Sequence, residues 1–147
     1  MTDLGLSGKT RPSVQVLLDT SFLLTMLKQH RDPVEEIRTA VRGNAKILIP
    51  DMVVFELERL ARKSSAKTHS FARASLDFLE KRGLDVIEHK PGPSDVDAAL
   101  IAWALSEKKL TGIATVDRAI RSALDSQDVP VIYPRTRRGL VAERFHF

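Results

Sequence analysis

The chain contains no cysteine. Disulfides, thiolate-held zinc and a cysteine nucleophile are excluded together. The absence fits a reducing compartment, so a cytoplasmic location is expected. No apolar run approaches the ~20 residues of a membrane span, so no membrane partner is expected. Residues 1–9 show no signal-peptide pattern. Aromatic residues make up only 5% of the chain, with one tryptophan and one tyrosine. Trp103 and Tyr133 are therefore the obvious platforms for a stacked base, although Trp103 lies in an apolar helical run and reads first as core. His30, His69, His89 and His146 are scattered without ligand or triad spacing. Gly8-Lys9-Thr10 has the ending of a phosphate-binding loop but not its first glycine, since Asp3 stands there.

What is present is an ordinary globular share of apolar residues, 43% of 147, enough for one domain with a real core. The formal net charge is +4. A modest positive excess is compatible with a polyanionic partner without requiring one.

Strand and helix patterns alternate along the chain. Val14 to Leu18 is an apolar, β-branched-rich run that ends at Asp19, with Thr20 or Ser21 capping the helix to Gln29. Asp32-Pro33 opens a helix that closes near Gly43-Asn44. Lys46 to Ile49 reads as a second strand. Asp51 caps a helix over 52–63, with Val53, Leu57, Leu60 and Ala61 at core spacing. A further helix covers 67–82, with Phe71, Ala74, Leu76, Phe78 and Leu79 available for packing. Asp85 to Glu88 is a weak edge strand. Ser94 opens a helix that is apolar nearly all round and so should be covered on all sides. Thr111 to Val116 is a fourth strand ending at Asp117, followed by a helix over 118–124. Val129 to Tyr133 is a fifth strand. Residues 1–12 are expected to be a flexible segment, 13–135 the domain, and 136–147 a basic tail without assigned structure. Alternating elements of this kind predict a three-layer α/β/α sandwich around a parallel five-stranded sheet, in a single domain.

Four acids stand out by position. Asp19 and Asp117 follow the first and fourth strands, Asp97 lies in the first turn of the apolar helix, and Glu56 lies early in the helix after the second strand. If the first and fourth strands are neighbours, Asp19 and Asp117 meet at a switch point, where open α/β sheets bind their ligands. Carboxylates gathered there repel one another unless a cation joins them. Mg²⁺ and Mn²⁺ suit such oxygen donors and support phosphodiester hydrolysis. Each acid also has a plainer reading. Asp19 suits a turn, Glu56 can pair with Arg59, Asp97 can reach back to Ser94 in a capping box, and Asp117 can cap the Arg118 helix.

The ordered combination is more specific. Leu18-Asp19-Thr20-Ser21-Phe22-Leu23, Phe55-Glu56-Leu57, Asp97-Ala98-Ala99-Leu100-Ile101-Ala102 and Ala114-Thr115-Val116-Asp117-Arg118 resemble the four acidic motifs of the PIN-domain nuclease family. The resemblance runs from about Val14 to Pro134. It implies a Rossmann-like sheet and Mg²⁺- or Mn²⁺-dependent cleavage of RNA. Asp19, Glu56, Asp97 and Asp117 would be the catalytic, metal-binding acids, and Ser21 and Thr115 the polar helpers. Asp95 stands two residues from Asp97 as an alternative or outer acid. Asp117 to Arg121 and Val129 to Arg135 are similar to the archaeal branch related to ribosomal-RNA-processing PIN proteins. The third motif resembles VapC toxins equally well. The implied partners are RNA, with ribosomal precursors or an antitoxin according to setting, and a non-catalytic RNA-binding adaptor is the third reading.

From Arg59 to Leu76 the chain has no acid but carries Arg59, Arg62, Lys63, Lys67, His69 and Arg73. Arg59, Arg62, Lys63 and Lys67, with Arg118 and Arg135, are the candidate RNA contacts. The alternative is a solvated helix hairpin. A homodimer through apolar residues such as Phe22 or Leu24 is left open.

Overall fold

Every residue of β1, Val14–Leu18, is buried, as a strand covered on both faces requires. The computed structural model describes residues 14–63, 65–88, 96–135 and 138–145. Around β1 run β2 (Ala45–Pro50), β3 (Asp85–Ile87), β4 (Thr111–Ala114), β5 (Val131–Pro134) and β6 (Leu140–Glu143), in the spatial order β3-β2-β1-β4-β5-β6. The first five are parallel to their neighbours, while β6 pairs antiparallel with β5. The chain leaves β1 toward β2 and β3, then returns to the other side of β1 as β4. The switch point therefore lies between β1 and β4.

The helices are α1 (Thr20–Lys28), α2 (Pro33–Val41), α3 (Asp51–Lys63), α4 (Ala66–Lys81), α5 (Val96–Ser106) and α6 (Arg118–Ser126). Successive strand side chains point to opposite faces. Val14, Val16 and Leu18 accordingly join a core with Phe22, Met26, Ile37, Val53 and Leu57 from α1 to α3. Leu17 turns the other way, against Leu100, Trp103, Ile120 and Leu124 of α5 and α6. This is the expected α/β/α sandwich, with one strand more than the five predicted. The additional strand lies in the segment read as a tail. Leu140 to Ala142 is a short apolar run between arginines, too brief to stand out as a strand in sequence. It is held by long-range contacts: the Arg31 guanidinium donates to the Gly139 carbonyl, and Arg144 donates to the Val129 carbonyl and Asp125.

Three further expectations change in the fold. Helix α5 is not covered all round, because Leu105 remains 52% exposed. One side packs on the sheet, and Ala102 and Leu105 face away from it. In α4 the buried positions are Ala72, Ser75 and Leu79; of the residues expected to pack, Leu79 is buried and Phe71, Ala74, Leu76 and Phe78 are half-buried. The Ser75 hydroxyl is satisfied by its own helix, donating to the Phe71 carbonyl. Phe22 is wholly buried, so it offers no dimer surface. The capping of α2 by Asp32 follows the sequence reading, with the carboxylate accepting from the Val34 and Glu35 amides.

Gly112 in β4 sits under the Phe145 ring, where an added Cβ would lie 2.5 Å from Phe145 Cζ and 3.0 Å from Pro130 Cβ. Gly112→Ala is therefore expected to destabilise the fold by about 1–3 kcal/mol through overpacking. Phe145→Leu, introduced with it, should return part of the loss. Chemical denaturation of the single and double variants measures both, and a neutral single variant would show that the ring moves aside freely.

Candidate active site

Asp19 occupies the N-cap position of α1, with extended backbone angles of φ −83° and ψ 151°, yet its side chain makes no capping hydrogen bond. Its main chain is fixed instead by donation from its N–H to the Ala114 carbonyl of β4. That leaves the carboxylate for other partners. The Ser21 hydroxyl donates to Asp19 Oδ2 at 2.6 Å and the Thr115 hydroxyl donates to the same oxygen at 2.8 Å. Each hydroxyl has one proton, so both are committed to the acid. Their oxygens then accept from the loop after β4: the Asp117 N–H donates to Thr115 Oγ1, and the Val116 N–H to Ser21 Oγ. The expectation that Thr20 or Ser21 caps α1 is thus replaced by a network that closes the seam between β1 and β4.

Asp117 behaves differently. It caps α6, with Oδ1 accepting from both the Ala119 and Ile120 amides. The plain reading of this residue is realised, and it is compatible with a functional one, because both bonds fall on a single oxygen. Glu56 likewise realises its plain reading, 3.8 Å from the Arg59 guanidinium one turn on.

These residues nevertheless share one hollow. Asp19, Glu56, Asp97 and Asp117 line a cavity of about 240 Å³ at the C-terminal edge of the sheet, together with Thr20 and Ser21. Leu24, Leu60 and Ile120 form its apolar walls. Four stretches of chain far apart in sequence therefore converge there. Thr20 had no separate role in the sequence, where it read only as a cap. Its hydroxyl is buried with no hydrogen-bond partner among the described residues. No sequence signal separates such a hydroxyl from a capping one. Among the described residues, no three histidine or acidic side chains stand close enough together to share one ion. Asp95 lies outside the described residues, as does the side chain of Lys63.

Burial pushes the Asp19 carboxyl above its ordinary value, against the opposing pull of the Ser21 and Thr115 hydroxyls, and the negative charge of Glu56 adds to the rise.

The candidate RNA contacts divide. Arg59 is engaged by Glu56, whereas Arg62 and Lys67 are exposed on α3 and α4. Arg118 and Arg135 border a second hollow between α6 and the β5–β6 hairpin. Trp103 is core, as its apolar surroundings suggested. One face of Tyr133 is taken by the Arg121 guanidinium, 3.5 Å from the ring centroid.

Residues 16–137 match the PIN-like domain family, and the chain belongs to that family. Among solved structures it is similar to the PIN domain endonuclease Utp24, with a TM-score of 0.72 and 20% identity over 89% of this chain and 92% of that one. It is also similar to a domain of a functionally unknown protein from Methanocaldococcus jannaschii, with a TM-score of 0.57 and 18% identity over 84% and 93%. At these identities the likeness is one of fold. A comparison with curated proteins finds no match. No helix among the described residues is long and apolar enough to cross a membrane.

The raised Asp19 carboxyl sets a pH-dependent stability. A group whose folded pKa is raised stabilises fully below its unfolded value, here 3.8, and that contribution is lost as pH rises through the folded value. Asp19→Asn keeps an oxygen for both hydroxyls and cannot ionise. In chelator at pH 7 it should melt above the wild type, by about 2–4 °C for each kcal/mol relieved. The difference should shrink toward pH 4. A variant that melts lower than wild type at pH 7 would mean that the ionised carboxylate is a net stabiliser.

Proposed function

We propose that this protein is a divalent-cation-dependent endoribonuclease acting in ribosomal-RNA processing or RNA quality control. The observation that carries the reading is the convergence of Asp19, Glu56, Asp97 and Asp117 on one hollow at the switch point. The donor chemistry fits a hard cation such as Mg²⁺ or Mn²⁺, for which carboxylate and hydroxyl or water oxygens are preferred ligands. The orphaned Thr20 hydroxyl and the destabilised charge of buried Asp19 fit it as well. The cation would be held from among Asp19, Glu56, Asp97 and Asp117, by no more than two of them directly as they stand. When bound, it supplies a water acidic enough to attack at neutral pH and neutralises charge on the phosphodiester.

The chain's own residues do the remaining work. Ser21 and Thr115 fix the rotamer of Asp19 by placing both protons on Oδ2, so the acid is oriented before substrate arrives. Asp117 holds the first turn of α6 with Oδ1, which fixes its side chain at the rim. Leu24, Leu60 and Ile120 limit the polar surface of the hollow to the acids and hydroxyls. Arg62, Lys67, Arg118 and Arg135 are the cations proposed to hold the RNA backbone, with Lys63 beside them in sequence.

The ribosomal setting is supported by the resemblance of the Asp117–Arg121 and Val129–Arg135 stretches to the archaeal processing branch. A toxin role rests on the third motif alone and predicts a small antitoxin reading frame beside this one. A non-catalytic RNA-binding adaptor has one observation in its favour: no three acids among the described residues are gathered for a common ion.

Labelled RNA incubated with Mn²⁺, Mg²⁺ or chelator tests the proposal. Cleavage is expected with either metal and not in chelator. Asp97→Asn should lower it about 100-fold or more, and Thr115→Ala, which takes one donor from Asp19 and the acceptor from the Asp117 N–H, about 10- to 100-fold. Mn²⁺ should also raise the melting temperature of wild type but not of Asp19→Asn. Equal cutting by wild type and Asp97→Asn in chelator refutes the mechanism, and RNA binding without cleavage in Mn²⁺ establishes the adaptor.

A further inference from the structure

A second hollow, of about 660 Å³, opens on the other side of the first turn of α6. Its wall carries Arg118, Arg121, Arg135 and Arg138, with Tyr133 at its base and no acidic side chain among the described residues that line it. Several guanidinium groups elsewhere are matched to carboxylates, Arg31 to Glu36, Arg82 to Asp32 and Arg144 to Asp125, while Arg62 and Arg73 stand singly and exposed. Among the described residues, none of the four arginines of the hollow has such a partner. Four like charges left together at one concave surface repel, and only an anion from outside relieves them.

The hollow is also built rather than merely exposed. Arg121 is held by the Tyr133 ring at 3.5 Å, and a guanidinium plane over an aromatic face is an attractive contact that limits its rotamers. The Tyr133 hydroxyl donates to Glu143 of β6 at 2.8 Å, which fixes the ring. The hairpin turn is closed by donation from the Arg135 N–H to the Gly139 carbonyl, and the Arg31 guanidinium ties that same carbonyl to the α1–α2 connection. The Arg135 amide and the Gly139 carbonyl, next to Arg138, are therefore tied to each other and to Arg31.

The two hollows share one wall. Asp117 and Ile120 line the acidic one, and Arg118 and Arg121, from the same turn of helix, line the basic one. We propose that the basic hollow is a second RNA subsite, which takes backbone phosphates of a single strand on one side of the scissile bond and so sets where along the strand the acids cut. Arg121 and Arg138 are its new members beside Arg118 and Arg135, and Tyr133 is a positioning residue for Arg121. The aromatic ring is not itself a base platform, because Arg121 covers it; the guanidinium plane is the surface offered to a base or phosphate. The proposal rests on the ribonuclease reading for its position relative to the cut, and on the hollow alone for binding.

The test is binding in chelator, which needs no turnover. Anisotropy of a labelled, unstructured single-stranded RNA is measured across a salt series for wild type and Arg121→Ala/Arg138→Ala. The double variant is expected to bind about tenfold more weakly at low salt, with a salt slope shallower by roughly 0.7 for each phosphate it no longer neutralises. Arg138 is exposed and makes no hydrogen bond or ion pair among the described residues, so Arg138→Ala alone gives the same readout if the double variant does not fold. Arg138→Lys should return most of the slope. Wild-type affinity and slope in the folded variants would overturn the subsite. So would displacement of the RNA by polyglutamate of equal charge, which would assign the hollow to an acidic peptide. Cleavage in Mn²⁺ separates the two proposals. RNA bound through these arginines but left uncut removes only the nuclease reading. RNA cut while the variants bind like wild type removes only the subsite.

Discussion

The site depends on two hydroxyl protons placed on one carboxylate oxygen. Ser21 and Thr115 both donate to Asp19 Oδ2, and the oxygens of those hydroxyls accept amides from the strand–helix loop after β4. The acid is 5% exposed, so it has little water to compensate its charge. Such a group costs several kcal/mol if left unpaired, and hydrogen bonds recover only part of that. The same bonds stitch the ends of β1 and β4 together at the point where the sheet reverses its direction of winding. The strain of burying a carboxylate and the closure of the sheet's edge are one structural fact.

Asp19 and Asp117 show how equivalent positions in the fold take different roles. Both follow a strand and precede a helix, and both have N-cap backbone angles. Asp117 commits one oxygen to helix amides, a local bond that any exposed cap makes. Asp19 cannot do both, because the Thr115 and Ser21 hydroxyls have already set its rotamer. The difference comes from the neighbour: β4 supplies a hydroxyl to the end of β1. A cap can be replaced by any small acceptor, whereas the Asp19 arrangement needs a carboxylate between two hydroxyls.

Much of this was legible in sequence because it is local or periodic. The run from Val14 to Leu18 declares a buried strand, and its end at Asp19 declares the edge. The four acids and the two hydroxyls were assembled by their order, not by any one spacing. What was not legible is long-range or shared. The strand at Leu140–Glu143 has too few residues to show a period, and is held because Arg31 reaches it from a distant part of the chain while Arg144 and Phe145, just past its end, dock on Val129 and Gly112. The burial of Ala72 and Ser75 in α4, in place of the phenylalanines, follows from how closely α3 and α4 approach, which a helical wheel does not contain. Thr20 and Tyr133 were visible as residue types, but which contact satisfies each, or fails to, belongs to the fold.

The placement of charge gives the first turn of α6 a further meaning. Asp117 and Arg118 are consecutive, so their Cα atoms lie about 3.8 Å apart, yet they serve opposite fields. An arginine inside the acidic hollow would pair with the carboxylates there, since opposite charges a few ångströms apart in a partly buried site interact by several kcal/mol. The helix avoids this by direction: side chains one residue apart diverge by about 100° around the axis. Positive charge can then stand within one turn of Asp117 without pairing with it. The pairing of Arg59 with Glu56 on α3 shows the alternative, where spacing of three residues puts the two on one face and the cation is engaged internally. On α6 the acid and the arginines are adjacent in sequence and separated in space, and that geometry lets a net basic chain keep an acidic hollow free of arginine.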